Sequence, residues 1–115
     1  MQITIVDDAG PTAKVILNGK LDISGADTIA LPLATLAGGK NGLLLDMAGV
    51  SFIASIGIRH LVAASKALAR RGGRLVLLNP NPMVTDVLAT SGVVELMKIA
   101  RSDAEAAAAL KAARA

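Results

Sequence analysis

The sequence predicts an α/β fold, a mixed and mostly parallel β-sheet opened by a β-hairpin and packed with about four α-helices. Three observations predict it. Short apolar runs at Leu43-Leu44-Leu45 and over residues 74–78 alternate with stretches of helical period, the pattern of strands joined through helices. Gly38-Gly39, Gly72-Gly73 and Gly92 fall where each helical period stops. The chain's 115 residues, 53% hydrophobic and 18% charged, suffice for one core and are too few for two, so a single domain over 1–115 is expected.

Each element has its own signal. Ile3 and Ile5 alternate with Gln2 and Thr4, residues 7–11 supply turn chemistry, and Val15, Ile16 and Leu17 resume an apolar segment, which makes a hairpin. Ser24 followed three residues later by Asp27 reads as a capping box. Ile29, Leu33 and Leu36 then recur on one helical face, giving a first helix over about 24–37 with Pro32 expected to kink it or delay its start. Leu43 to Leu45 is too short for a helix and suits a central strand covered on both faces. Ile58, Leu61, Val62, Ser65, Leu68 and Ala69 share a face, giving a second helix over about 56–71. Arg74 to Leu78 is the next strand. Asn81 before Pro82 starts a third helix over about 82–91, since proline fits the first helical position. A last strand is expected over about 94–99, and Ser102 with Glu105 caps an alanine-rich helix to the end of the chain.

Composition narrows the function classes. Twelve Lys and Arg against nine Asp and Glu give +3, short of a nucleic-acid binder's charge density. With no Trp, no Tyr and one Phe there are no stacking platforms for single strands. The absence of cysteine removes disulfides, thiolate nucleophiles and sulfur-ligated metals, and one histidine, His60, removes a His-rich metal site. Residues 1–10 carry two aspartates and no basic stretch, unlike a secretory signal, and no apolar run is long enough to span a bilayer. A cytoplasmic protein with no cofactor, no nucleic-acid partner and no membrane insertion is expected.

Catalytic constellations fail in turn. His60 reads as a surface helix position with no cysteine to activate. Asp22, Asp27, Asp46 and Asp86 come from separate elements without ligand spacing and suit caps and strand ends. Gly38-Gly39-Lys40 lacks the spaced glycines and following hydroxyl of a phosphate loop and reads as a helix stop. No catalytic residue and no metal site are assigned, and no enzymatic activity is expected.

The stretch from Asp46 to Ile58 is different. A buried strand ends, a short loop crosses the edge of the sheet, and Ser55 stands at the mouth of the second helix, where unpaired N–H groups and the helix dipole favour an anion. Ser55 is either the N-cap of that helix or a phosphate acceptor. Ile53, Ala54, Ile56 and Ile58 either pack beneath the helix or form a docking patch. Arg59, Lys66 and Arg70 recur at i, i+7 and i+11 along one side, with Arg71 and Arg74 beyond, as a solvated face or a guide for an acidic partner.

Residues 46–58, continuing into Gly72-Gly73-Arg74-Leu75 and Asn79-Pro80-Asn81-Pro82, resemble the STAS family, shared by sulfate transporters and bacterial anti-sigma factor antagonists. The likeness covers nearly the whole chain, and the element order agrees with the family's fold. In its antagonist branch the resemblance implies a small protein that binds a serine-kinase anti-sigma factor or a related regulator, releases the sigma factor, and is switched off by phosphorylation of a serine at this helix start. The matching serine is Ser55. The chain departs from the family's common Asp-Ser-Ser or Asp-Ser-Thr, with Ala54 in place of the aspartate and Ile56 in place of the second hydroxyl. The partner-binding residues expected are Ala54, Ser55, Ile56, Gly57, Ile58, Arg59, Lys66 and Arg70. The resemblance also admits an alternative, a STAS subunit of a lipid-trafficking ABC transporter assembly.

Overall fold

The computed structural model describes residues 1–7, 10–93 and 96–112. Strand β1 (Gln2–Asp7) pairs antiparallel with β2 (Thr12–Leu21), Ile3 opposite Leu17 and Ile5 opposite Val15. Helix α1 (Ile23–Gly39) carries the chain across to β3 (Gly42–Ile53), α2 (Ser55–Ala69) to β4 (Arg74–Leu78), and α3 (Pro82–Thr90) to β5 (Lys98–Ala100). Helix α4 (Asp103–Ala112) follows. A strand returning parallel to its predecessor needs a crossover of a dozen or more residues, which each intervening helix provides. Strands β2 to β5 are accordingly parallel, and the spatial order repeats the chain order with β3 central.

This topology puts the carboxyl ends of β2 to β5 along one edge of the sheet. All four helices start there, and α1, α2 and α4 end at the opposite, amino edge.

Alternation along the central strand divides the core. Leu43, Leu45 and Met47 face the side on which α1, α2 and α3 place Ile29, Leu33, Ile58, Leu61, Leu68, Val84 and Leu88. Leu44 faces the other way, joining Val76, Leu78, Ala100 and the two α4 residues Ala106 and Ala109 in a smaller core. Burial of each such leucine contributes about 1.5–3 kcal/mol, so the larger core carries most of the fold. On the α4 side the buried residues that meet the sheet are the small alanines Ala106 and Ala109, with Leu110 half-buried beside them, which lets the helix lie close but leaves that layer thin.

The predicted architecture is present, with corrections at the joints. Helix α1 starts at Ile23 because Asp22, not the Ser24 and Asp27 pair, supplies the cap, its carboxylate accepting from the Gly25 N–H at 2.8 Å. The helix continues past Pro32 to Gly39. The N–H that proline lacks would have bonded the Thr28 carbonyl, and Thr28 is exposed, so water can take that acceptor. Strand β3 does not end at Asp46. It stays paired with β2 as far as Ile53 opposite Leu21, absorbing two register shifts on the way. Helix α2 spans Ser55–Ala69 rather than about 56–71. Gly72, at φ 77°, turns the chain out of it, while the Gly73 N–H reaches back to the Leu68 carbonyl at 2.9 Å. Helix α3 and its Asn81 cap are as expected, with Val84 N–H on Asn81 Oδ1 at 2.8 Å. Strand β5 is shorter than expected, and the Val94 and Glu95 end of that expectation lies outside the described residues. In α4 the Glu105 N–H donates to Ser102 Oγ and the Glu105 carboxylate accepts from the Arg101 N–H, the anticipated cap in a slightly shifted form.

Candidate docking site

Helices α1 and α2 begin in the same way at the ends of neighbouring strands. Each enters from an extended residue, Asp22 or Ala54, and each has a buried glycine three positions later, Gly25 or Gly57. The glycines are needed for close approach. A Cβ on Gly25 would stand 2.0 Å from the Lys20 carbonyl oxygen, and one on Gly57 would stand 3.2 Å from both the Cβ and the carbonyl oxygen of Leu21. The Ala54 N–H donates to the Leu21 carbonyl at 2.8 Å, which pins the start of α2 to the end of β2.

Ser55 is the first residue of α2, not its cap. The capping position belongs to Ala54, whose methyl group accepts no hydrogen bond, so among the described residues no side chain satisfies the first-turn N–H groups of α2. Ser55 is exposed, and its hydroxyl makes no hydrogen bond within the described residues. The backbone arrangement is therefore one in which uncommitted donors and the positive end of the helix dipole surround an accessible hydroxyl. A negative charge placed on Ser55 is tolerated by the helix that carries it.

The neighbouring apolar residues divide into two groups. Ile53 and Ile58 are 4% and 8% exposed and belong to the core, and Gly57 is buried under α2, so these three seat the helix. Ile56 is half-buried. Exposed apolar surface comes instead from residues that the sequence pattern did not single out for docking. Ile23 at the start of α1 is 74% exposed, Phe52 at the end of β3 is 42% exposed, and Met83 in the first turn of α3 is also exposed. Ile23 and Phe52 line one open depression with Asp22, Ser24, Asp27 and Ala54, directly beside Ser55. Asn81 fixes the neighbouring loop, donating from Nδ2 to the Val50 carbonyl at 3.0 Å while capping α3.

The basic residues do not all belong to this end. Arg59, Lys66 and Arg70 are exposed on one stripe of α2, but at 1.5 Å per residue Arg70 lies about 22 Å along the helix from Ser55, and only Arg59 is within about a turn of it. The Arg71 guanidinium donates to the Ala37 and Lys40 carbonyls and ties the ends of α1 and α2 together. His60 is half-buried and lines a small alanine-rich cleft between α1 and α2 with Ala34, Ala37 and Ala67. Among the described residues no three side chains of metal-ligating type are grouped, and no helix is long and apolar enough to cross a membrane.

Comparison with known proteins gives this arrangement its family. Residues 3–106 match the model of the STAS domain. The chain belongs to the STAS family. Its sequence is 32% identical over 98 residues to BtrV of Bordetella bronchiseptica, a candidate anti-sigma factor antagonist, covering 84% of each chain. This STAS domain superposes on the anti-sigma factor antagonist SpoIIAA in its unphosphorylated form with a TM-score of 0.80 and 25% identity, over 96% of this chain and 97% of that one. It also matches SpoIIAA of Bacillus in the phosphorylated form, with a TM-score of 0.71 and 25% identity over 93% and 97% of the two chains.

Proposed function

We propose that this STAS domain, acting as one unit over residues 1–115, is an anti-sigma factor antagonist. It works in the cytoplasm by docking a serine-kinase anti-sigma factor and has no catalysis of its own. The observation that carries the reading is the exposed, uncommitted hydroxyl of Ser55 at the uncapped start of α2, beside the depression lined by the exposed side chains of Ile23 and Phe52. Family membership and the likeness to SpoIIAA, seen in both phosphorylated and unphosphorylated forms, support it.

The docking surface is formed by Ala54, Ser55, Ile56 and Arg59 with the exposed residues around them. Gly57 and Ile58 position it from below, and Lys66 and Arg70 extend the cationic side of α2. In the switch, the partner transfers the γ-phosphoryl group of ATP to Ser55 Oγ, which loses its proton, and ADP leaves. Phosphoserine carries about −1.5 to −2 charges. In the free protein the first-turn N–H groups and the helix dipole offset that charge, whereas an interface closing over Phe52 and Ile23 has to desolvate it. Phosphorylation therefore weakens docking and leaves the fold intact.

The test is incubation with a kinase-type anti-sigma factor from the same genome and ATP, followed by peptide mass spectrometry. A single phosphate on the peptide bearing Ser55, lost in Ser55→Ala, is the expected result. A stable complex with no phosphate on that peptide contradicts the switch, and the absence of any complex with such kinases contradicts the function.

A further inference from the structure

The amino edge of the sheet, opposite Ser55, gathers half of the chain's twelve Lys and Arg residues. Lys40, Arg70 and Arg71 follow the ends of α1 and α2, Arg74 opens β4, Lys98 opens β5, and Lys111 lies in the last turn of α4. The acidic residue placed at this edge among the described residues is Asp7 on the outer strand, while Asp22, Asp103 and Glu105 lie where helices begin. Basic groups near helix ends offset the helix dipole, and Lys66 and Lys111 are so placed. That explanation does not reach Arg74 and Lys98, which open strands. Arg70, Arg74, Lys98 and Lys111 make no side-chain hydrogen bond or ion pair among the described residues.

Apolar surface accompanies this charge. Leu96 is 44% exposed and borders a depression with Arg74 and Lys98. Helix α4 packs against β3, β4 and β5 but leaves an open groove of about 600 Å³ beside the start of β2, lined by Pro11, Thr12, Ala107, Ala108 and Leu110 with Lys111 at its rim. Cations spread over the ends of several elements, next to a shallow apolar groove, match the chemistry of phosphate headgroups above acyl chains. An acidic protein surface does not require the groove, and nucleic acid finds no aromatic ring here, the one Phe lying at the other edge.

We infer that this edge docks peripherally on an anionic lipid bilayer, leaving the Ser55 end free. The inference stands apart from the proposed function, because it uses the opposite end of the molecule, where Arg70 is the one residue the two surfaces share and is left unchanged in every variant below. Sedimentation of the full chain with phosphatidylcholine vesicles, alone and with admixed phosphatidylglycerol, tests it at low salt, with duplex DNA in a parallel arm. Binding to the anionic vesicles and not to the neutral ones is expected, weakening as salt rises. Each cation near an anionic surface contributes about fivefold, so Lys98→Glu/Lys111→Glu, at two exposed positions, lowers binding by at least about twenty-five-fold. Ala108→Asp, exposed in the groove, weakens it as well, and Ser55→Asp leaves it unchanged. Far-ultraviolet circular dichroism verifies that each variant is folded. No sedimentation with phosphatidylglycerol vesicles overturns the inference, as does tighter binding to the duplex or full binding by Ala108→Asp.

Discussion

The starts of α1 and α2 are two versions of one device. Both leave adjacent parallel strands, both bury a glycine at the third helical position, and both are held against the strand that precedes α1. They differ in one place. Asp22 closes the first turn of α1 with its carboxylate, whereas Ala54 leaves the first turn of α2 open with a serine next to it. The other two helices also have side-chain caps, Asn81 for α3 and Ser102 for α4. The comparison teaches that the open turn is not a property of the fold. The same backbone accepts a cap, and where the chain omits one it exposes a hydroxyl beside unused donors.

The largest expected effect removes the platform on which both helix starts rest. Leu44 lies in the thin core under α4, and Leu44→Asp puts a carboxylate among its apolar neighbours, with only the part-exposed Lys14 of β2 beside it, at a cost of several kcal/mol against a typical total of about 5–15 kcal/mol. Loss of cooperative thermal unfolding is expected, and a soluble variant with an unchanged melting curve would show that the strand is not central. Next come the glycines, which differ in the space around them. Gly25→Ala drives a methyl into the Lys20 carbonyl and should cost about 3 kcal/mol, the upper part of the usual range for overpacking. At Gly57 the contacts are only tight, and alanine regains helix propensity of about 1 kcal/mol, so Gly57→Ala should change stability by less than about 1 kcal/mol. Urea midpoints for the pair separate these outcomes, and equal losses would mean that the two helices are not seated as described.

A smaller effect turns α2 into a copy of α1. Ala54→Asp places a carboxylate at the vacant capping position, with an expected gain of about 1 kcal/mol and a rise in Tm of roughly 4 °C. No gain in calorimetry would mean that the first turn of α2 already has its partners.

The sequence made the layers legible and left the edge contacts obscure, for physical reasons. The run Leu43-Leu44-Leu45 announces a strand covered on both sides because it is too short for a helix and a half-exposed strand would leave one of its leucines in water. Asn81-Pro82 and Ser102 with Glu105 act within four residues, so local chemistry reveals them. The sequence allows Asp22 a cap or strand-end role without choosing it for α1, because Ser24 and Asp27 present a similar spacing and register alone decides which oxygen meets the Gly25 N–H. The extension of β3 to Ile53 depends on bulged pairing with β2, which leaves no hydrophobic period to read. The sequence puts Ser55 at the helix mouth, and its place one step inside the helix, rather than at the cap, depends on where β3 stops. Ile58 and Ile23 have the same side chain, one 8% and the other 74% exposed, because Ile58 falls on the buried face of Leu61 and Leu68 whereas Ile23, the first residue of α1, lies off the face of Ile29 and Leu33. The bond from Arg71 to the end of α1 spans more than thirty residues, beyond the reach of any local pattern.

The account rests on the claim that the open turn at Ser55 is a docking surface switched by charge, and one titration tests it directly. The Kd for a kinase-type anti-sigma factor from the same genome would be measured for the unaltered chain, Ser55→Ala and Ser55→Asp, with an unfolding midpoint for each. Since Ser55 caps nothing, all three midpoints should agree to within about 0.5 kcal/mol. Ser55→Ala should bind as the unaltered chain does, and Ser55→Asp should bind at least about tenfold more weakly, a difference of roughly 1.4 kcal/mol or more. Undiminished binding by Ser55→Asp, together with a loss of about 1 kcal/mol of stability in Ser55→Ala, would instead make the serine a helix cap and contradict the account.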